Sequence, residues 1–224
     1  FGQVESMIKT FAYRIKDSRR SDALLHLAGS VNVVWNYCNE IQRQAVRQNR
    51  KWPTGFDFNE LTAGSSKELG LHSQTIQAVG EQYAEKRATA RKRHLRWRGR
   101  RSPGWIPFKA SGVKLRGDAV TYGGHRFRFW LSRPLEGKLK TGSFSQDARG
   151  RWYVSFQCEV QTPAPSISTE EIGIDLGLKD LVSLSTGEKV EAPRFYRDLE
   201  PALAVAQRAR KKKRVAALHA KIAN

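Results

Sequence analysis

The chain has 224 residues, 39% of them hydrophobic and 10% aromatic, enough for one large domain or two to three small ones with cores of their own. Lysine and arginine number 40 against 21 aspartates and glutamates, a net charge of +19, which bears on partners rather than fold and points to nucleic acid ahead of an anionic membrane or an inert basic surface. No run of about 18 apolar residues occurs, which argues against a transmembrane helix, and no signal peptide is visible. Cys38 and Cys158 lie far apart and no CxxC occurs, so neither a zinc ribbon nor a disulfide framework is supported within this chain. Both read as small buried apolar residues, which fits a reducing cytoplasm.

Residues 4–16 read as a strand, with Phe11, Tyr13 and Ile15 alternating against Lys9, Arg14 and Lys16. Residues 17–48 read as a helix. Leu24, Leu27, Val31, Val34, Trp35, Cys38, Ile41 and Ala45 recur at the spacing of one helix face, and Ser21 or Asp22 can cap its start. A Gly/Pro/Ser-rich connector follows, with one short helix expected near Asn59–Thr62. Ser73 is expected to cap a second long helix that carries Gln74, Ile76, Gln77, Val79 and Tyr83 and continues into "KRATARKRHLRWRGRR". Pro103, Gly104 and Pro107 close the helical region, and the period then becomes two. "VKLRGDAVTYGGHRFRFWL" reads as paired strands around Gly123-Gly124. "GSFSQDARGRWYVSFQCEV" reads as a hairpin turning at Asp147–Gly150, with Trp152, Val154, Phe156, Cys158 and Val160 on one face. "QTPAPSISTEE" is a polar, proline-containing linker and the expected domain boundary. The simplest packing joins the first strand to the later ones in a β-barrel with a helical insertion.

Between Lys86 and Gly117 there is no acidic residue, while Lys86, Arg87, Arg91, Lys92, Arg93, Arg96, Arg98, Arg100, Arg101, Lys109, Lys114 and Arg116 are all basic. On a continuous helix, charges at 87, 91 and 98 share one face and those at 93, 96 and 100 spread around it. A phosphate backbone would relieve their self-repulsion and release its counterions. Arginine dominates, which suits bidentate phosphate contacts and stacking. Trp97 and Trp105 read either as core residues or as platforms for an unpaired base. A second run, Arg208, Arg210, Lys211, Lys212, Lys213 and Arg214, lies between two helical patterns and reads either as a contact to RNA or DNA backbone or as a charged helix tip.

"EIGIDLGLKDLVSLSTGEKV" parses as strand, tight turn, strand, turn, strand. Ile172, Ile174 and Leu176 alternate with Gly173, Asp175 and Gly177. A carboxylate in the middle of an apolar strand is out of place and needs a partner. An antiparallel meander with such an aspartate is the opening of an RNase H-like fold, where the aspartate bridges two divalent ions roughly 4 Å apart for phosphodiester cleavage. Oxygen ligands suit Mg²⁺ or Mn²⁺. The competing reading is an aspartate that ends a strand and satisfies turn amides.

The whole C-terminal stretch resembles the TnpB/OrfB family of transposon-associated RNA-guided DNA endonucleases, relatives of type V CRISPR effectors. "GIDLGLKD" resembles the first RuvC motif, and "PRFYRDLEPALAVAQR" and "RVAALHAKIAN" resemble the segments after it. More loosely, "VVWNYCNE", "HSQTIQAVGEQYAEKRATARK", "GWIPFK" and "GRWYVSFQCEV" resemble the family's two helices and barrel strands. The resemblance implies an α+β multidomain fold. A wedge-type β-barrel (residues 1–17 and 104–165) is interrupted by a helical recognition lobe (18–103) and followed by the start of an RNase H-like RuvC domain (166–224).

The implied partners are guide RNA and target double-stranded DNA, with no membrane, in a prokaryotic cytoplasm or nucleoid. Ser73, Gln74 and Gln77 fall near the family's helix face that reads a short DNA motif, where glutamine suits adenine edges; a capping role for Ser73 stands beside this. Asp175 is the implied catalytic metal ligand. The family's second and third carboxylates, and its structural zinc element, would follow Asn224, so this fragment alone is expected to be inactive. Asp180 and Glu188 sit at turns and read as structural, and the basic segment 208–214 is shorter than in many relatives. A non-cleaving or truncated RNA-guided DNA-binding protein, and a type V CRISPR effector, are the rival readings.

Overall fold

A computed structural model describes residues 5–16, 21–162, 171–177, 180–191 and 195–223. The fold is α+β, and the chain divides into two compact units, Val4–Thr162 and a second formed by Pro163–Asn224 with Phe1–Gln3. The linker expected at 161–171 falls mostly outside the described residues.

In the larger unit, β1 (Glu5–Arg14) is followed by α1 (Ser21–Arg47), α2 (Gly55–Leu61), α3 (Ser66–Leu69) and α4 (Ser73–Thr89). Then come β2 (Trp105–Lys109), β3 (Lys114–Arg116), β4 (Ala119–Tyr122), β5 (His125–Arg128), β6 (Lys138–Gln146) and β7 (Trp152–Thr162). An antiparallel sheet runs β1-β7-β6-β2, so the first strand does join the late ones, pairing with β7 from Glu5↔Thr162 to Arg14↔Tyr153. Pro107 sits in β2, an edge strand, where its missing N–H breaks no ladder. A second antiparallel sheet runs β3-β4-β5, turning at Gly123 (φ 55°) and Gly124 (φ 77°). Among the described residues the two sheets meet at one bridge, Ile15↔Phe129. Tyr13, Phe108, Tyr122, Phe127, Phe129, Phe144 and Phe156 fill the space between them, with ring centroids 5.1–6.3 Å apart. Trp152, Val154, Phe156 and Cys158 of β7 are all buried, as the alternation requires.

The helical region departs from the sequence expectation in four places. The connector forms two short helices, α2 and α3, rather than one. α2 is fixed by a capping box in which Thr54 and Asp57 exchange hydrogen bonds. α1 begins at Ser21, so Ser21 and Asp22 are already helical and the cap position lies outside the described residues. α4 is capped by His72, whose Nδ1 accepts the Gln74 N–H at 3.3 Å, and Ser73 is its first helical residue. α4 also stops at Thr89: Arg91 takes φ 49°, and residues 91–104 run on as an irregular strap. The basic run therefore has no continuous helical face, and the shared face predicted for 87, 91 and 98 does not exist.

In the smaller unit, β8 (Ile174–Asp175), β9 (Asp180–Leu184) and β10 (Lys189–Glu191) form an antiparallel sheet in the order β10-β9-β8. A helical hairpin follows, α5 (Phe195–Arg208) and α6 (Lys212–Ile222), closed on Leu203, Ala206 and Leu218. Among the described residues, no helix is long and apolar enough to cross a membrane.

Candidate nucleic-acid interface and carboxylate site

The strap is held by a polar ladder on α1. Asn32, Asn36 and Asn39 recur at intervals of four and three residues, with Gln42 three further on, so they share one helix face. Asn36 Nδ2 donates to the Arg98 carbonyl at 2.7 Å while its Oδ1 accepts the Arg98 N–H at 2.8 Å. Asn39 Oδ1 accepts the Leu95 N–H at 3.1 Å and the Tyr83 hydroxyl at 2.7 Å. Gln42 Nε2 donates to the Arg93 carbonyl at 2.8 Å, and Trp35 Nε1 donates to that of Arg96 at 3.1 Å. These bonds stand in for the ladder a helix or strand would have supplied to the backbone between Arg93 and Arg98. The strap's side chains are left to point elsewhere.

This ladder sorts the basic residues. Arg87 is buried, donates to Gln42 Oε1 and lies 5.3 Å from the Trp52 ring centre. Arg98 donates through Nε to Asn32 Oδ1 and through a terminal nitrogen to the Pro103 carbonyl, both at 2.7 Å. Both guanidiniums are engaged within the fold, whereas the sequence reading assigned both to nucleic acid. Lys109 is paired with Glu81 at 3.1 Å. Lys86, Arg91, Lys92, Arg93, Arg96, Arg100 and Arg101 are exposed. Burial, and then the neighbouring Arg98, pull the Lys86 ammonium below its ordinary value; burial does the same to Arg87 and Arg98. Lys86 lies over both Trp105, at 4.8 Å, and Trp35, at 5.6 Å.

The strap, α1 and the end of α4 enclose a cleft of about 1210 Å³ that includes Trp35, Arg43, Lys86, Lys92, Arg96, Trp97 and Arg98. The two tryptophans flanking the strap take different roles. Trp105 packs against the core, whereas Trp97 is 47% exposed with the Arg43 guanidinium 5.6 Å from its ring centre.

Lys114 and Arg116 are exposed on β3. Their register across the sheet, Lys114↔Thr121↔Arg126 and Arg116↔Ala119↔Arg128, puts two further arginines on the same face. Arg128 is tied to Asp118 at 3.1 Å, where Lys16 also binds at 2.7 Å; these hydrogen bonds hold the Asp118 carboxyl below its usual range. Arg43 and Arg126 were both missed from sequence. The alternation of "HRFRF" could have revealed Arg126, but Arg43 reads there only as one charge on a polar helix face.

Ser73 and Gln77, one turn apart, line a small pocket of about 220 Å³ against the α2–α3 region. Gln74 is not with them: its Oε1 accepts the Ser111 hydroxyl at 2.5 Å. The three residues proposed to read a DNA motif therefore divide between two surroundings.

In the smaller unit, Asp175 is exposed and pairs in register with Ser183. It is not the buried charge that an apolar strand interior suggests, because β8 is only two residues long. The Gly173 N–H donates to Ser185 Oγ at 3.0 Å, and Gly173 O accepts the Ser185 N–H at 2.8 Å. A side chain at Gly177 would press on the Asp180 carbonyl. The Leu178–Lys179 turn lies outside the described residues. Asp180 pairs with Lys189 at 3.7 Å. Among the described residues no three His, Cys, Asp or Glu side chains form a group that could hold a metal ion. Asp175 alone does not make a metal site, and no chemical step follows from these residues by themselves.

Arg208, Arg210, Lys211, Lys212, Lys213 and Arg214 are all exposed at the tip of the α5–α6 hairpin, where Arg210 takes φ 51°. Four of them occupy the cap and first turn of α6, the end where the helix dipole disfavours positive charge.

A family model described as OrfB_IS605, "Probable transposase", matches residues 155–224, the segment that contains Asp175. A Streptomyces pristinaespiralis protein named "Putative RNA-guided DNA endonuclease" is 50% identical over 80 residues, covering 34% of this chain and 20% of the relative. The matched region thus spans about a fifth of that relative's length. A cryo-EM structure of a Cas12f1-sgRNA-target DNA complex aligns with 96% of this chain and 64% of its own, at 12% identity and a TM-score of 0.38. Over residues 155–224 the chain is thus similar to the OrfB_IS605 family, and over 80 residues to a protein named as an RNA-guided DNA endonuclease.

Proposed function

We propose that this chain is part of an RNA-guided DNA endonuclease of the TnpB type. The observation that carries the reading is the 50% identity over 80 residues to a protein of that name. In this reading the larger unit, with its two sheets packed on shared aromatic residues, is the wedge-type barrel with its helical recognition lobe. The smaller unit, beginning with the meander β8-β9-β10, is the opening of an RNase H-like RuvC domain. Guide RNA and target DNA are the partners. The exposed cations Lys86, Arg91, Lys92, Arg93, Arg96, Arg100, Arg101, Lys114 and Arg116 contact their phosphates, and the α5–α6 tip adds a second contact. Guide pairing would select the target strand.

Asp175 contributes one carboxylate to a Mg²⁺ or Mn²⁺ site that other residues complete. Its exposure at a strand end, with no cation paired to it among the described residues, suits a side chain kept for an outside ligand. When bound, the metal supplies activation of water and stabilisation of the leaving oxygen. What Asp175 itself does is hold one oxygen donor at a fixed point on β8.

The test is Asp175→Ala in the full-length protein carrying its guide RNA. Mg²⁺-dependent cleavage of matched DNA is expected to vanish while guided DNA binding persists. Unchanged cleavage would sink the assignment of Asp175. Cleavage absent from the wild type, with guided binding intact, would favour a protein that binds without cutting.

A further inference from the structure

We infer that the cleft between the strap, α1 and α4 holds an unpaired base of a single-stranded nucleic acid, stacked on the Trp97 indole. This rests on the nucleic-acid reading above and adds a specific contact to it. Five cations line the cleft, Arg43, Lys86, Lys92, Arg96 and Arg98, against one carboxylate, Glu85. None of the five forms an ion pair among the described residues. The occupant this charge calls for is polyanionic.

The aromatic content selects the kind of polyanion. Trp97 is nearly half exposed within a run of arginines and lysines, where a solvated charged segment has no use for a large apolar ring. Trp35 lines the same cleft, and the Arg43 guanidinium lies over one face of the Trp97 ring, leaving the other face to a base. An indole at the mouth of a cationic cleft offers a stacking surface that any base can use. A duplex keeps its base faces covered and presents phosphates and groove edges, so it gains nothing from that ring. A single strand presents both.

The cleft is also built in advance. The α1 ladder fixes the backbone on both sides of Trp97, through the Arg96 carbonyl and both polar groups of the Arg98 peptide. Ordering the strap is therefore no part of the cost of binding. Arg98 is committed to Asn32 and Pro103, which leaves Arg43, Lys86, Lys92 and Arg96 as the phosphate contacts around the stacked base.

The test uses the full-length protein freed of co-purifying nucleic acid and three probes. They are a thymidine oligomer of about 15 nucleotides with a central 2-aminopurine, a base-free phosphodiester chain of equal length, and a duplex of equal length. Quenching of 2-aminopurine on binding is expected in the wild type. Trp97→Leu should relieve the quenching and weaken binding of the base-bearing strand about tenfold, within the range stacking contributes. It should leave the base-free chain and the duplex unchanged, and Trp97→Phe should restore the strand's affinity. No quenching in the wild type would overturn the inference whatever the variants do. Equal weakening of all three probes by Trp97→Leu would overturn it too, by making Trp97 structural. If no probe binds the wild type, the nucleic-acid reading fails with it; if all bind and only the base effect is missing, that reading stands and the base pocket alone falls.

Discussion

At the scale of single residues, burial divides cations that look alike in sequence. Arg87 and Arg96 belong to one basic run, yet Arg87 lies inside the larger unit against Gln42 and Trp52 while Arg96 faces solvent on the strap. Arg87→Ala removes the donor to a fully buried Gln42 and opens space beside Trp52. Leaving such a group unsatisfied costs about 1–3 kcal/mol, so the denaturation midpoint should fall without a change in the salt dependence of nucleic-acid binding. Arg96→Gln should do the reverse. The midpoint should hold, and the slope of log K against log salt should become shallower by about 0.7 for a single-stranded probe. Chemical denaturation and a salt titration, run on both variants, check the pair together. A loss of slope in Arg87→Ala without loss of stability would mean that the buried arginine is reached by the ligand after all.

Elements were legible where one signal decided them. The β7 alternation, the Gly123-Gly124 turn and the helices flanking 208–214 follow from periodicity and turn chemistry, and all are present. The end of α4 was not legible. Its arginines and lysines are good helix formers, and neither glycine nor proline marks Thr89. What ends the helix is tertiary: the asparagine and glutamine side chains of α1 offer the following backbone another set of partners. The signal was present in the spacing of Asn32, Asn36 and Asn39, but on the face opposite in character to the apolar stripe it reads as ordinary solvated polarity. Asp175 was legible as an anomaly and its surroundings were not, because a two-residue strand looks longer when apolar residues continue the alternation on either side. If the ladder sets the path of the strap, Asn36→Ala should release it, since Asn36 satisfies both polar groups of the Arg98 peptide. The expected loss is about 1–3 kcal/mol of stability, accompanied by faster tryptic cleavage between Arg91 and Arg101. Lost stability with unchanged cleavage would place the effect elsewhere in the core.

For the whole molecule, the two units differ in how much they bury. The larger one closes an aromatic core between two sheets and extends it through Leu24, Val31, Cys38, Phe58 and Val79 of the helices. Burial there pushes the Cys38 thiol up to about 12, which keeps it protonated and unreactive. The smaller unit buries only Leu203, Ala206 and Leu218 among the described residues. In its sheet, Ile174↔Leu184 and Val182↔Val190 pair in register and so share a face, yet Ile174 is 66% exposed and Val190 49%. An apolar sheet face left open in this way stabilises little by itself. A fragment of residues 1–165 should therefore fold alone, with a cooperative melt and the midpoint that its core shows in the longer chain. A fragment of residues 166–224 should not: its few buried side chains, at about 1.5–3 kcal/mol each, fall far short of the backbone entropy of ordering nearly sixty residues. Circular dichroism melts of the two fragments decide this. A cooperative transition in the second would mean that β8 to β10 and the α5–α6 hairpin form a self-sufficient domain, and that Asp175 is held by a scaffold needing nothing more to fold.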